Sequence, residues 1–330
     1  MAARDDILKL GERVGQSVIG QEQMVERLLL GVISNGHILV EGLPGLAKTR
    51  AIKSLAKNLE SELSRIQFTP DLLPADVTGS EIYISDGAKS AFQFQQGPIF
   101  ANLILADEIN RAPAKVQSAL LEAMEERQVT VGGKSYPLPD LFMVMATQNP
   151  IEQEGTYPLP EAQLDRFLLH IRVDYPDDAS EAAIMRLNRD EEQQARGKAH
   201  EKAASKEKAT RLSPQSIFEA RKEIGTVTVS EPVEKYMVAL VFATRYPDRY
   251  NADLAKLLQV GVSPRGVIGL DRMSRAYAWM KGRDFVTPDD VKAIVHDVFR
   301  HRLLLSYEAH ASNTTPDQII DRITELVAVS

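Results

Sequence analysis

Residues 41–49 read EGLPGLAKT and contain the glycines, lysine and threonine of a loop that binds phosphate. An apolar run precedes this segment and a helix-compatible stretch follows it. Gly42 and Gly45 allow the backbone to approach an anion closely, and consecutive N–H groups then form an anion-binding nest. A helix that begins near Lys48 adds the positive end of its dipole. The segment predicts a site for the phosphates of a nucleotide; the alternative is a chance turn between a strand and a helix.

Lys48 and Thr49 have complementary chemistry within this loop. We expect Lys48 to contact the β- and γ-phosphates and the Thr49 hydroxyl to ligate Mg²⁺. The general pattern has glycine directly before the lysine, where this chain has Ala47. Because that position leads into the helix, we expect a small residue with negative φ to serve there.

Two adjacent carboxylates follow the apolar run at residues 102–106. That run is typical of a buried parallel strand, and ligands bind where the strands of an open α/β sheet end. We expect Asp107 to hold Mg²⁺, mostly through water, and Glu108 to orient and deprotonate an attacking water. The alternative is a cap for the next helix, which requires two motifs to coincide by chance in the right order.

The composition excludes several kinds of site. The chain has 330 residues, a formal net charge of −7 and no cysteine. Disulfides, thiol chemistry and cysteine-ligated metals are therefore excluded, and a reducing compartment is favoured. The negative charge argues against a dedicated nucleic-acid surface. Residues 1–16 mix charges and no run reaches the roughly 18 apolar residues of a membrane span, so we expect a soluble, cytoplasmic chain without a signal peptide or membrane insertion.

Apolar segments alternate with helical stretches in the first half of the chain, which predicts an α/β fold with a parallel sheet. The segments are residues 37–40, 65–68, 103–106, 142–146 and 167–173. After a Tyr-Pro-Asp-Asp interruption the pattern is mostly helical, so we predict a domain boundary near residue 175. Residues 189–211 carry both charge signs and predict a solvated helix or an insertion.

Two hairpins are predicted within the first domain. The first joins residues 81–85 and 91–95 through Asp86-Gly87-Ala88, and the second joins residues 128–131 and 134–138 through two glycines. Neither is needed to close a nucleotide site. We expect them to be working surfaces, with surface decoration as the alternative.

Asn149 and Arg265 are further candidates for the site. Asn149 follows the apolar segment at 142–146, where an amide could hold the attacking water from the other side. Ser263 and Pro264 predict the start of a helix, and Arg265 then lies in its first turn, where a cation opposes the helix dipole. A bound phosphate would resolve this conflict, and the alternative is a salt bridge to a nearby carboxylate.

The chain resembles the MoxR family of AAA+ ATPases over nearly its whole length. The motifs that carry the resemblance are EGLPGLAKT, GPIF at 97–100, LADEINRA at 105–112, ATQNP at 146–150, LPEAQLDRF at 159–167, GVSPRG at 261–266, GRDFVTPDDV at 282–291 and HRL at 301–303. ATQNP together with LPEAQLDRF is quite specific. The family commonly has alanine at the position of Ala47, and GVSPRG differs slightly from its usual GASPRA while keeping the arginine.

The resemblance implies roles for individual residues. Lys48 and Thr49 match Walker A, Asp107 and Glu108 match Walker B, Asn149 matches sensor 1, Arg265 matches sensor 2, and residues 18–21 match the segment that contacts adenine. Arg166 matches the arginine finger, which would reach the nucleotide of an adjacent subunit. The residues expected to contact the nucleotide are Ile19, Gly20, Gly42, Leu43, Pro44, Gly45, Leu46, Ala47, Lys48, Thr49, Arg50 and Arg265.

The family's fold implies a three-layer α/β/α P-loop domain with a five-stranded parallel sheet at residues 1–175 and an α-helical lid at 176–330. Residues 69–98 would be the helix-2 insert and residues 128–138 the pre-sensor-1 hairpin. The resemblance further implies ATP and Mg²⁺ bound between sheet domain and lid, and a hexameric ring. It also implies chaperone-like activation of metalloenzymes and other complexes, often with a partner that carries a von Willebrand factor A domain.

Two other functions are compatible with the motifs. A DNA-engaging motor would need basic hairpins, but these hairpins contain only Lys89 and Lys134. A nucleotide switch with very low turnover would not need Glu108, Asn149 and Arg166, all of which are present.

Overall fold

The computed structural model describes residues 2–86, 89–150, 155–198 and 211–328. Two sequence predictions lie partly outside this range. They are the turn residues Gly87 and Ala88 and, within the charged stretch, residues 199–210.

The described strands and helices alternate through the first half, and helices dominate the second half. The strands are β1 (Ile38–Gly42), β2 (Leu63–Gln67), β3 (Gly79–Asp86), β4 (Lys89–Gln96), β5 (Leu103–Asp107), β6 (Gln128–Val131), β7 (Lys134–Pro137), β8 (Met143–Gln148), β9 (Leu169–Val173), β10 (Leu258–Val260) and β11 (Leu304–Leu305). The helices are α1 (Ala2–Gly15), α2 (Glu22–Ile33), α3 (Lys48–Asn58), α4 (Pro74–Thr78), α5 (Ala114–Glu126), α6 (Glu161–Leu164), α7 (Asp178–Lys198), α8 (Pro214–Gly225), α9 (Glu231–Arg245), α10 (Ala252–Leu257), α11 (Pro264–Met280), α12 (Pro288–Phe299), α13 (Tyr307–Ala311) and α14 (Pro316–Leu326).

A five-stranded parallel sheet lies at the centre of the fold, with strand order β2-β5-β8-β1-β9. Each strand corresponds to one of the five predicted apolar segments, so this prediction is confirmed. Both faces are buried: Leu103 and Leu105 of β5 pack into one apolar cluster, while Ile104 and Ala106 pack into the other. Burial on both faces explains why the strands read as continuous apolar runs rather than alternating ones. The fold is therefore a three-layer α/β/α arrangement, as predicted.

Both predicted hairpins form. Strands β3 and β4 pair antiparallel, as do β6 and β7. The two hairpins touch through Phe94 and Tyr136, whose rings stack with centroids 4.1 Å apart. They therefore form one surface rather than two separate projections.

The C-terminal half is helical, as predicted, except for the short antiparallel pair β10 and β11, which the sequence did not predict. Helix α12 packs on the edge strand β9, and α1 and α2 pack against α8 and α11. One apolar cluster therefore runs across residue 175 without a break. The division into residues 1–175 and 176–330 remains a proposal. In the described part of the chain, no helix has the length and apolar character needed to cross a membrane.

Candidate nucleotide site

The loop between β1 and α3 has the two glycines where the backbone needs them. Gly45 has φ of 87°, a left-handed conformation that favours glycine. Gly42 pairs with Val173 of β9, and a Cβ at Gly42 would lie only 2.8 Å from the Val173 carbonyl oxygen. The first glycine thus permits close strand packing at the base of the loop, and the second permits the turn itself.

Ala47 also adopts a left-handed conformation, with φ of 56°, at the position that caps α3. The prediction of a negative φ is therefore wrong. The loop must turn into the helix through this residue, and the turn overrides the preference of an alanine. A left-handed conformation costs a non-glycine residue about 1–2 kcal/mol, which gives a physical reason for the glycine of the general pattern.

Lys48 is the first residue of α3, and its ammonium donates a hydrogen bond to the carbonyl oxygen of Gly42. The side chain thus folds back over its own loop. Pro44, Gly45, Leu46, Ala47, Lys48, Thr49 and Arg50 line a cavity of about 330 Å³ together with Asp107, Glu108, Thr147, Gln148 and Asn149. We name this cavity the phosphate pocket. It lies where β1, β5 and β8 end, because parallel strands have their carboxyl ends at one edge.

Asp107 is held by two neighbouring strands. Its Oδ1 accepts a hydrogen bond of 2.7 Å from the Thr147 hydroxyl of β8, and its Oδ2 accepts one of 2.7 Å from the Arg65 guanidinium of β2. The same Thr147 oxygen accepts the backbone N–H of Glu108 at 3.0 Å. Thr147 therefore fixes both acidic residues at the end of β5.

The Glu108 carboxylate has two donors of its own. Its Oε2 accepts hydrogen bonds from the Gln67 amide at 2.9 Å and from Arg111 at 3.0 Å. Its backbone lies in the left-handed region, with φ of 57°. Sequence reasoning missed Arg65, Gln67, Arg111 and Thr147. A usable signal existed for Gln67 and Thr147, since Gln67 is the last and Thr147 the next-to-last residue of the two strands that flank β5 in the sheet.

A second cavity, of about 650 Å³, adjoins the phosphate pocket and shares Gly45, Leu46, Ala47 and Arg50 with it. Its other walls are the segment before α2, including Val18 and Ile19, and one face of α7, including Ile184 and Met185. We name it the base pocket, because an apolar cavity beside a phosphate site fits the ring of a nucleobase.

Gly20 brings the walls of the base pocket together. It has φ of 74°, and a Cβ there would lie 2.7 Å from the Cβ of Ser180. Arg50 of α3 forms an ion pair with Glu191 of α7, which joins the helix after the loop to the far wall. Of the expected nucleotide contacts, Gly20, Gly42, Leu43 and Arg265 do not line the two connected cavities, whereas all the others do. The structure adds α7 to them.

Leu43 and Gly42 line a smaller separate cavity with Glu41. The Glu41 carboxylate lies 2.8 Å from Nε2 of His170 on β9. This hydrogen bond holds the pKa of Glu41 below its usual value. This contact joins Glu41, near the end of β1, to the neighbouring edge strand β9.

Arg166 and Arg265 do not line the phosphate pocket of their own chain. They lie together in another cavity of about 350 Å³, where both form ion pairs with Glu125 of α5. The Arg166–Glu125 distance is 2.9 Å. We name this cavity the arginine pocket. It shares no lining residue with the phosphate pocket.

The start of α11 in the arginine pocket forms as the sequence predicts. Ser263 caps the helix by accepting the backbone N–H of Arg265 at 3.1 Å, and its hydroxyl donates to Asp165 at 2.8 Å. Asp165 also accepts from Arg302 at 2.8 Å. Burial lowers the pKa of Arg302 to about 10, and the Asp165 charge opposes that shift. Asp165 thus joins the end of α6 to α11 and to the segment after α12.

The residues present fit a magnesium ion bound with a nucleotide. No cluster of three or more histidine, aspartate or glutamate residues suited to a metal occurs in the described part of the chain. Mg²⁺ usually takes one or two protein oxygens plus phosphates and water. Thr49 and Asp107 supply such oxygens in the phosphate pocket.

Comparisons with family models agree with this geometry. Residues 37–169 match the ATPase family associated with various cellular activities (AAA), and residues 252–323 match the AAA lid domain. The first range contains the loop, the acidic pair and Arg166, and the second contains Arg265.

Several relatives are similar over almost the whole chain. Chaperone MoxR1 of Mycobacterium tuberculosis is 44% identical over 96% of this chain and 80% of its own length. Protein MoxR of Methylorubrum extorquens is 31% identical over 96% of this chain and 93% of its own length. A crystal structure of a candidate ATPase from Cytophaga hutchinsonii is 45% identical, with a TM-score of 0.87 over 100% of this chain and 96% of that one.

Proposed function

The chain belongs to the MoxR-type AAA+ ATPases, and from this premise we propose that it binds ATP with Mg²⁺ and hydrolyses it to ADP and phosphate. The observation that carries the proposal is the phosphate pocket. It brings Lys48, Thr49, Asp107, Glu108 and Asn149 from three separate segments to one edge of the sheet, beside an apolar cavity of the size a nucleobase needs.

Each of these residues has a role in the proposed reaction. Lys48 contacts the β- and γ-phosphates, and Thr49 and Asp107 hold the metal ion. The bound Mg²⁺ neutralises charge on the phosphate oxygens. Glu108 takes a proton from the attacking water, and Asn149 orients that water from the end of β8. Gln67 and Arg111 both donate to Oε2 of Glu108, so Oε1 is the oxygen that can accept the proton of the attacking water.

Arg166 and Arg265 enter the reaction from a neighbouring subunit. Both line the arginine pocket, away from the phosphate pocket of their own chain, so we propose that they meet the phosphates of a second copy. Such a contact is heterologous and closes into a ring when the rotation allows. Membership of the family supports an oligomeric state for this chain, and we propose that the oligomer is a hexameric ring. The bound phosphate that we expect beside Arg265 would then belong to the nucleotide of the neighbouring subunit.

The output of hydrolysis is remodelling of a client protein complex. The joined hairpins at β3–β4 and β6–β7 form one exposed surface, which includes the exposed side chains of Tyr83 and Phe92. We propose that ring motion moves this surface against the client, with a von Willebrand factor A domain protein as partner. A cytoplasmic location agrees with the cysteine-free composition.

Hydrolysis is tested with Glu108→Gln and Lys48→Ala. Glu108→Gln should keep ATP binding while turnover falls by about 10²-fold or more, as for loss of a general base. Lys48→Ala should weaken ATP binding itself. Glu122→Gln removes a carboxylate from the exposed side of α5 and serves as the matched control, with wild-type turnover. Near-normal turnover of Glu108→Gln would exclude Glu108 as the base, and no turnover by the wild type at ring-forming concentrations would exclude the function.

A further inference from the structure

The arginine pocket carries more positive charge than its own carboxylates neutralise. Its lining residues include five arginines but only two carboxylates, Glu125 and Asp165. His37 adds no charge, because burial lowers its pKa to about 3. A surplus of three positive charges is unusual in a chain whose net charge is −7. Such a surplus favours the binding of an anion from outside the subunit.

Two of the five arginines stabilise the fold through contacts within the subunit. Arg302 is buried and bound to Asp165 and to backbone carbonyl oxygens. Arg127 donates at 2.7 Å to the carbonyl oxygen of Phe142 and also contacts Asn35. Two others, Arg166 and Arg265, share Glu125. The fifth arginine is Arg272.

Arg272 lies on the same face of α11 as Arg265. The two are seven residues apart, which is about two helical turns and roughly 10 Å along the axis. Arg272 is exposed, and within the described residues it makes no hydrogen bond or ion pair. Its charge instead lowers the pKa of Arg127, after the larger effect of burial. The charge of Arg272 therefore opposes the partly buried charge of Arg127 in the free subunit, and a bound anion would offset this repulsion.

We propose that Arg272 binds the phosphates of the nucleotide held by the neighbouring subunit, as a third cation beside Arg166 and Arg265. This inference rests on the proposed function. Arg166 and Arg265 are held side by side on one carboxylate and therefore can reach one phosphate group together. Arg272, about two helical turns further along α11, reaches a different oxygen of the same triphosphate. Its guanidinium donates two parallel hydrogen bonds, which a lysine cannot copy.

Mixing two inactive variants tests this assignment in the full-length ring. Arg272→Ala should lower turnover at saturating ATP and protein by about 10- to 100-fold, as for loss of a charge-assisted hydrogen bond. Glu108→Gln subunits keep Arg272 but lack the base, and Arg272→Ala subunits keep the base. In mixed rings, some Arg272→Ala subunits have a Glu108→Gln subunit as the neighbour that supplies Arg272. The nucleotide held by such an Arg272→Ala subunit then has both an intact Glu108 and an intact Arg272. Turnover should therefore exceed the sum of the separate variants.

Two further variants make the result specific. Arg275→Ala is the matched control, because Arg275 lies on the same helix, pairs with Asp271 and does not line the pocket; it should keep wild-type turnover. Arg272→Lys should recover only part of the loss. Wild-type turnover in Arg272→Ala, or an Arg275→Ala defect of equal size, would overturn the proposal.

A mixture of Arg166→Ala with Glu108→Gln separates this inference from the proposed function. If that mixture regains turnover and the Arg272→Ala mixture does not, only the role of Arg272 fails. If neither regains turnover, the trans arrangement of the proposed function fails as well. A carboxylate of the neighbouring protein as the true anion predicts a different result: Arg272→Ala would then lose ring assembly without nucleotide, and its turnover at saturating protein would be normal. That result would also overturn the proposal.

Discussion

Ala47 is strained in a way that one substitution can relieve. Its φ of 56° favours glycine, so Ala47→Gly should raise the free energy of unfolding by about 0.5–1 kcal/mol, despite the greater chain entropy of glycine. Denaturant titration measures this change. Ala239→Gly, inside α9, should have the opposite sign, because glycine in a helix interior costs about 0.5–1 kcal/mol. Equal signs for the two variants would contradict the assignment of strain.

Arg65 occupies the carboxylate that we assign to magnesium. Its guanidinium donates to Oδ2 of Asp107 at 2.7 Å, and the side chain of Asp107 is mostly buried while that of Arg65 is half exposed. A metal ion must compete with this contact. Arg65→Gln should therefore lower the Mg²⁺ concentration needed for half-maximal turnover by several-fold, as expected for removal of a partly screened like charge.

A magnesium titration at fixed ATP measures that shift. Lys115→Gln is the control, since it removes a cation from the exposed surface of α5 and should not move the titration. A higher magnesium requirement in Arg65→Gln would mean that Arg65 positions Asp107 rather than competing for it.

At the scale of residues, the sequence predicts which residues form the phosphate pocket better than it predicts their backbone conformation. Lys48, Thr49, Asp107, Glu108 and Asn149 meet in one pocket because their spacing places them at strand ends. The backbone of Ala47 was predicted wrongly, since its conformation depends on how the loop enters α3. Arg65, Gln67 and Thr147 were missed because they lie on other strands, far from Asp107 and Glu108 in the chain. Arg111 lies only three residues after Glu108, and its contact was missed because it depends on the turn that follows β5.

Among the elements, His37 joins β8 and α5 to the start of β1. Its Nδ1 accepts the backbone N–H of Val144 at 3.0 Å, so its Nε2 carries the proton and donates to the carbonyl oxygen of Met124 at 3.2 Å. Protonation would place a second N–H against the Val144 N–H. This geometry agrees with the native pKa of about 3, for which burial is the main cause.

The depressed pKa of His37 makes stability depend on pH. As pH falls below 6.5, the value for an unperturbed histidine, the unfolded chain gains a proton that native His37 does not take. The His37 contribution is therefore complete above pH 6.5 and is lost as pH falls towards 3, at about 1.4 kcal/mol per pH unit. His37→Asn keeps an acceptor near the place of Nδ1 but cannot titrate, so its stability should fall less steeply between pH 6 and pH 4.

Denaturant midpoints at several pH values measure both slopes. His301 also has a pKa well below its usual value because of burial, so some slope remains in the variant. His310→Asn is the matched control, because that side chain is exposed and its loss should leave the wild-type slope. Parallel curves for wild type and His37→Asn would contradict the assignment.

The stack between Phe94 and Tyr136 joins the two hairpins. A double-mutant cycle with Phe94→Ala and Tyr136→Ala should give a coupling free energy of about 0.5–1.5 kcal/mol, the range for aromatic pairs. Phe94→Ala combined with Phe242→Ala on α9 should instead be additive, since the two side chains lie on separate elements. Zero coupling in the first cycle would mean that the hairpins are energetically independent.

The sequence predicted strands, hairpins and helix starts correctly where a local residue pattern determines them. The five strands, both hairpins and the start of α11 at Ser263 follow from apolar runs, turn residues and a capping serine. Strands β10 and β11 were missed because they contain three and two residues, too few for an alternation to be visible.

For the whole molecule, the sequence could not predict which elements meet. Helices α1 and α2, at the start of the chain, pack with α8 and α11 in one cluster that crosses residue 175. The same long-range packing takes Arg265 away from the phosphate pocket and beside Arg166. A motif fixes the local helix start at Ser263, but the position of that helix depends on contacts such as Asp165–Arg302, which join segments 137 residues apart.

The separation of the two pockets makes turnover a property of the assembly. If Arg166 completes the site of a neighbour, an isolated subunit lacks the cation that stabilises the transition state, a contribution of about 10³–10⁵ in rate for arginine fingers. Turnover per subunit should therefore rise with protein concentration and reach a plateau as sedimentation shows larger particles. Arg166→Ala should remain near the low baseline at every concentration, whereas Lys235→Ala, which breaks an exposed pair on α9, should follow the wild-type curve. Constant turnover per subunit down to concentrations where sedimentation shows only monomers would exclude a role of Arg166 in trans, because a monomer has no neighbour to provide it.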